Sequence, residues 1–427
     1  MESTRIRSVA LGTLIALGAV ACSTSTGGST ASTGSGAFKT GPGVDLAAKS
    51  ITLGVLTPLS GPAALIGSPL TNGQKAYFDS LNANGGINGW KVNLTVQDTK
   101  YDPQTQVQEY NQLAPGVLFL GQSLGSPTTQ AIESLASSAG ILVGTAAQDS
   151  AFVNQKINAV IGTPYAVDTA NAMFYVSQHK PAAKLGIIYQ NDAYGTDGLK
   201  GFTAGVAAYN LNKVADATYN ATDTAFTSQV LAMKNAGADT VVLTALPTPA
   251  ATMVGTAASM GYHPQWIFQG PAWSEFLMSS TGDPTGKATA VAPALVGVWI
   301  LDYEAAWGDT SVAGMNQFLA VQKQYFPTQV PDNYFLYGYC LALMEKNLLA
   351  KAIAARDLTR AGVLDAKLHL GTIDFGGLLP NATYTPSLGP ADRQTGISQV
   401  DAGAPGYLKQ IEPYFTSSAA QSMTFAG

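Results

Sequence analysis

The chain has 427 residues, of which 11% are charged, with 22 Lys+Arg against 27 Asp+Glu and a formal net charge of −5. That length exceeds what one core usually fills and suits two compact lobes. The basic residues form no cluster, so no stripe of charge matches a phosphate backbone, and nucleic acid is excluded as a partner.

The first stretch, "MESTRIRSVALGTLIALGAVACSTS", carries Arg5 and Arg7, an uncharged and largely apolar run from Val9 to Val20, and small residues before Cys22. This is the layout of a secretory signal, and it is too short for a comfortable membrane span. The quartet Ala19-Val20-Ala21-Cys22 resembles a bacterial lipobox, with Ala19 where Leu is usual. The resemblance implies a signal peptide over residues 1–21 and lipidation of Cys22. The Ser/Thr/Gly tract from Ser23 to Gly36 cannot bury a core, so residues 22–47 are expected to be the lipidated Cys and a flexible tether spanning about 30 Å.

Beyond the tether, elements alternate. Ile51 to Leu56 is an apolar strand, Leu70, Gly73, Tyr77 and Leu81 recur at helical spacing, and Trp90 to Gln97 alternates apolar with polar residues as a second strand. Between them, "SLNANGGINGW" must end the helix and reverse the chain. Asn84, Gly85, Gly86, Asn88 and Gly89 tolerate the positive φ that such a turn needs. A polar helix follows at Gln104 to Leu113, then a strand Val117 to Leu120, a helix Thr128 to Ala139 and a strand Ile141 to Val143. A second set begins at "KLGIIYQND" and runs strand, helix (Gly198 to Tyr209), strand (Val214 to Tyr219), helix (Phe226 to Ala236), strand ("TVVLTAL"), helix (Ala250 to Met260), strand ("QWIFQG"). Tandem βα repeats predict an α/β fold of two doubly wound parallel-sheet lobes. Ligands bind such sheets beyond the carboxyl ends of their strands, so two facing sheets define a cleft.

Three blocks, "ITLGVLTPLSGPAALIG", "GQKAYFDSLNANGGINGWKVNLTVQDTKYDP" and "IIYQNDAYGTDG", resemble the leucine/branched-chain amino acid type of extracytoplasmic solute-binding protein, the receptor subunit of ABC importers. The similarity runs from about Ser50 to Phe375. It implies a type I periplasmic-binding-protein fold with three crossovers, lobe 1 being 48–165 plus 297–369 and lobe 2 being 166–296 plus 370–427. It also implies closure over a small-molecule solute, ABC permease and ATPase subunits as partners, and a monomer held to the membrane through its lipid anchor, on the outer face of the cytoplasmic membrane or in the periplasm. No cofactor is expected.

By the same resemblance, Ser126 in "GQSLGSPTTQ" holds a ligand carboxylate, a role compatible with capping the helix it opens. Ala146 supplies a backbone contact, and Gln148 stands where the family has a hydroxyl residue. Tyr194 faces the ligand from the second lobe, with packing as its competing role. Tyr334 lies on the helix that nears the cleft. In "FQGPAWSEF" Ala272 occupies the position of the acid that pairs with an amino-acid ammonium. A buried ammonium without a counter-charge is costly, so a carboxylate or amide is favoured over an α-amino acid, unless Glu275 substitutes. Trp273 and Tyr194 are then candidates to sandwich a flat or apolar group, core packing being the alternative for Trp273.

Rival chemistries are weak. "GQSLG", Gly121 to Gly125, matches a nucleophile elbow with Ser123, but His179, His263 and His369 form no triad pattern with it. "GDPTGKAT" lacks phosphate-loop spacing and reads as a surface loop. Three isolated His and one further Cys, Cys340 on an apolar helical stretch, give no metal-ligand spacing. A ligand-sensing lipoprotein serving a membrane receptor shares every feature above and stays open as an alternative.

Overall fold

The computed structural model describes residues 37–330, 332–385 and 392–425. The expected signal peptide, Cys22 and the Ser/Thr/Gly tract lie outside them. No helix among the described residues is long and apolar enough to cross a membrane.

The first sheet contains Ser50–Thr57 (β1), Lys91–Asp98 (β2), Leu120–Leu124 (β3), Val143–Ala146 (β4) and Asn158–Val160 (β5), all parallel in the order β2-β1-β3-β4-β5. Its connecting helices are Ala64–Ala83 (α1), Pro103–Leu113 (α2) and Ser126–Ser138 (α3). Tyr165–His179 (α4) then crosses to the second lobe. There Lys184–Gln190 (β6), Asn212–Tyr219 (β7), Thr240–Thr244 (β8), Gln265–Phe268 (β9) and Trp299–Asp302 (β10) repeat the same parallel order, β7-β6-β8-β9-β10. Their helices are Ala193–Ala208 (α5), Thr227–Asn235 (α6) and Pro247–Ser259 (α7). The chain returns to the first lobe through Met315–Tyr325 (α8), Asn333–Ala354 (α9) and Arg360–Leu368 (α10). Thr395–Val400 (β11) and Leu408–Phe415 (β12) finally extend the second sheet antiparallel to β10.

Local chemistry accounts for the element starts. Asp102 caps α2 by accepting the Thr105 N–H at 2.7 Å, with Pro103 next, and Asp332 caps α9 by accepting from Tyr334 and Phe335. The glycine-rich turn works as expected: Gly85, Gly86 and Gly89 sit at φ 94°, 70° and 87°, and a Cβ on Gly86 would meet the Trp90 carbonyl at 2.0 Å. Helices α1 and α9 cross in close contact because Gly73 lies against the Phe335 carbonyl and Gly338 against that of Leu70. Their side chains join the largest apolar cluster, which includes Leu70, Phe78, Phe335 and Cys340.

Three expected boundaries move. Residues 38–45 were expected in the tether, yet Lys39–Thr40 pairs with Asp357–Leu358, Val44–Asp45 pairs with β1, and Phe38 packs on Trp90 at 5.2 Å. Trp299–Asp302, expected in lobe 1, hydrogen-bonds in the second sheet between β9 and β11. Residues 371–384, expected in lobe 2, contribute Phe375, Leu378 and Tyr384 to the first-lobe core. In each case strand pairing or packing decided the assignment.

Candidate functional site

In both sheets the strand order reverses around the first strand, and the loops beyond the carboxyl ends at that point converge on one cavity. Helix α3 begins there, immediately after β3. Gly125 precedes it at φ 99°, a left-handed turn that lets the chain enter the helix, and Thr128 Oγ1 donates back to the Leu124 carbonyl at 2.5 Å. Ser126 is thereby fixed in the first turn, its Oγ buried and close enough to the Asp149 carboxyl to favour that group's charged form, without the geometry of a full hydrogen bond. Its backbone end of α3 carries the partial positive charge of a helix N-terminus.

The rest of the wall is apolar and aromatic. Ile66, Leu70 and Leu124 face it from the first lobe and Leu246 and Pro271 from the second. Six tyrosines complete it: Tyr101, Tyr165, Tyr194, Tyr303, Tyr334 and Tyr337. Several are anchored by their hydroxyls, so that their rings and not their polar ends form the wall. Tyr194 donates to Ala245 O at 3.2 Å, Tyr334 to Trp273 O at 2.6 Å, and Tyr337 to Ile161 O at 3.2 Å. Tyr165 meets Tyr194 edge to face at 4.7 Å.

The cavity is narrow and closed by both lobes. About 460 Å³ of space, its mouth included, lies among the lining atoms. Across the cleft, Gln190 Nε2 of the second lobe donates to the Tyr101 hydroxyl at 3.2 Å, and the Ser150 N–H of the first donates to Asp197 at 2.9 Å. Leu246 packs into the first-lobe core.

Charge is present in one form only. Among the described residues lining the cavity there is no Lys, Arg or His, and the ionisable acid is Glu304. Burial pushes the Glu304 carboxyl well above the ordinary carboxylate range, and the nearby Asp302, Asp332 and Asp168 push it further. Burial thus favours its neutral, hydrogen-bond-donating form, and a cation beside it would favour the carboxylate.

Of the residues singled out in the sequence, Ser126, Ala146, Gln148, Tyr194 and Tyr334 line this cavity. Trp273 does not. It is 2% exposed in the second-lobe core, and what reaches the cavity wall is the hydrogen bond from Tyr334 to its carbonyl. The Trp273 side chain is thus not placed to sandwich a group against Tyr194 in this cavity. Glu275 is also absent from the wall: it is fully buried, and its Oε1 accepts the Asn333 N–H at 3.1 Å. Sequence reasoning missed Glu304 and Tyr303, which directly follow "WILD", a strand end that a second-sheet assignment would have flagged.

Ser123 is not at an elbow. It lies within β3, fully buried, accepting from Gln106 Nε2 at 2.8 Å and sharing a hydrogen bond with Thr129 Oγ1. The histidines lie elsewhere: His179 stacks on Tyr175, His369 contacts Asp365, and His263 lines a surface hollow at the amino end of β9.

Residues 50–405 match the family model described as "Periplasmic binding protein". The chain belongs to that family. Among similar proteins, the Leu/Ile/Val-binding protein homolog 7 of Brucella abortus (strain 2308) is 27% identical over 308 residues, 69% of this chain and 75% of the relative. A solved fatty acid ABC transporter substrate-binding protein from Thermomonospora curvata is 30% identical, with a TM-score of 0.84 over 91% of this chain and 97% of that one. A branched chain amino acid ABC transporter structure from Thermus thermophilus with bound valine, at 15% identity, shares the fold, with a TM-score of 0.77 over 87% and 98% of the two chains. The binding protein is thus of the branched-chain amino acid type, a class of extracytoplasmic ABC substrate-binding proteins, with the type I fold.

Proposed function

We propose that this binding protein captures an organic acid with an apolar body between its closing lobes and delivers it to an ABC permease and its ATPase, from a lipid anchor on Cys22. The observation that carries the ligand class is the cavity's charge pattern: a Ser126 hydroxyl at the start of α3 beside Asp149, a Glu304 carboxyl whose protonated form burial favours, and otherwise aromatic and aliphatic walls. A carboxylate accepts hydrogen bonds from Ser126 and from protonated Glu304, while Ile66, Leu70 and Leu246 cover its hydrocarbon part. The Thermomonospora curvata protein, described as a fatty acid binder, supports an acid of this kind at 30% identity.

One observation favours a second reading. Glu304 is a counter-charge available to an ammonium group, which the sequence had sought at Ala272 or Glu275, and with it an α-amino acid fits the same walls. The two readings differ in sign with pH. A carboxylate binds best while Glu304 is protonated and weakens as pH rises; an ammonium binds best once Glu304 is ionised and strengthens. Calorimetric titration with hexanoate and with leucine across the pH range in which the protein stays folded decides between them. Hexanoate binding that weakens upward in pH supports the first reading, and leucine binding without hexanoate binding overturns it.

The anchor has its own test. Cys22→Ala should release the protein from the membrane fraction, and retention there would sink the lipidation proposal.

A further inference from the structure

A second apolar space opens at the lips of the cleft. It is lined by Gly61, Ala64 and Leu65 at the start of α1, and by Ala221, Phe226, Pro249 and Thr252 on the second lobe, with about 930 Å³ of space, solvent included, against about 460 Å³ on the same measure for the ligand cavity. Leu65 is 37% exposed there, and Leu59 nearby is 43% exposed, although both belong to the better buried residue types. The one acidic side chain in its lining, Asp223, accepts the Asn220 N–H of its own turn at 2.7 Å.

This space and the ligand cavity flank the same two helix starts. On α1, Ile66 faces the cavity and its neighbour Leu65 faces the groove. On α7, Leu246 precedes the helix and faces the cavity, while Pro249 and Thr252 face the groove. Three residues of helix span about 5 Å, so a single layer of side chains stands between the two spaces. Both walls of the groove come from different lobes, so it exists as a groove only when the lobes are closed.

We propose that the groove is a tail subsite: the distal hydrocarbon of an acid whose head is held at Ser126 passes between Ile66 and Leu246 and lies on Leu65, Pro249 and Phe226. This rests on the organic-acid reading of the cavity. The cavity itself is too narrow for a long chain, and an extended one reaches the groove by parting the single layer of side chains formed by Ile66 and Leu246. Ligands long enough to reach the groove touch both lobes twice, and so favour closure more than short ones do.

The test is calorimetric titration with butanoate, hexanoate, octanoate and decanoate, using the native protein, Thr252→Trp and Leu65→Gln. Each CH₂ that enters the groove should tighten native binding by about fourfold. In Thr252→Trp, which fills the groove, decanoate should fall to the hexanoate level while hexanoate stays within about twofold of native, a result that also shows the variant is folded. Leu65→Gln, a milder change, should reduce the decanoate gain without abolishing it. Affinity flat beyond hexanoate, or a decanoate gain that survives both substitutions, overturns the tail subsite and leaves the carboxylate reading intact. Failure of every acid to bind overturns both.

Discussion

At Ser126 one hydroxyl separates a structural role from a binding one. Its Oγ is buried at the start of α3 beside the Asp149 carboxyl, whose charged form it favours, while Gly125 and Thr128 satisfy the local helix start, so the hydroxyl stands between an internal partner and the cavity. Ser126→Ala should therefore weaken hexanoate binding about tenfold while leaving the thermal midpoint nearly unchanged, and a large loss of midpoint with unaltered affinity would make it a structural residue. Glu304→Gln keeps a donor but removes the titration, so hexanoate affinity should become insensitive to pH; persistence of the native pH dependence would place its source elsewhere. Trp273 teaches the converse. In the sequence it stands beside the family's ligand-facing position, but the Gln269–Ala272 turn directs it into the core, so Trp273→Ala should cost about 3–5 kcal/mol of stability, read by denaturant unfolding. Neither outcome was legible from residue types, because a tryptophan serves a cavity wall and a core equally well.

At the scale of elements, the amphipathic segments were legible and the fully buried ones were not. β2 alternates buried and exposed positions at its start, and its pattern was visible as such in "KVNLTV". α4 was not placed from the sequence: between Tyr165 and Val176 nearly every side chain is buried, so no polar face exists to set a helical period. That helix supplies Tyr165 to the cavity, which explains why this wall residue was missed. The crossing of α1 and α9 rests on two glycines rather than on a pattern of apolar residues. A Cβ on Gly73 would fall 1.9 Å from the Phe335 carbonyl, so Gly73→Ala should force the helices apart and cost about 1–3 kcal/mol, measured by thermal or denaturant unfolding. An unchanged midpoint would show that the crossing yields more easily than its backbone contacts imply.

At the scale of the molecule, the lobes meet through buried acids as well as apolar surface. Asp197 on α5 accepts from the Ser150 N–H and hydroxyl of the opposite lobe, and burial followed by Asp197 itself raises the neighbouring Asp149 to about 7. Asp302 and Asp332 are likewise raised to about 7, burial being the leading cause in both. The native state keeps these protons where the unfolded chain, with its ordinary value of 3.8, has lost them. Their contribution to stability is complete below that ordinary value and is lost as pH climbs toward about 7. The thermal midpoint of the unliganded protein should accordingly fall between about pH 5 and about pH 7.5, and a rise over that interval would contradict the burial of these groups. Asp197→Asn should shallow that slope.

By itself the sequence determined the alternation of strands and helices, the glycine turn after α1, and the resemblance in the N-terminal blocks that points to a solute receptor, because each of these is written in residues close together along the chain. Only the tertiary structure decided that Trp299–Asp302 joins the second sheet, that Glu304 and not Glu275 lines the cavity, and that an apolar groove lies on the other side of Leu65 and Ile66. Those facts depend on pairings between residues far apart in sequence, whose hydrogen bonds and shared burial leave no periodic mark on either segment alone.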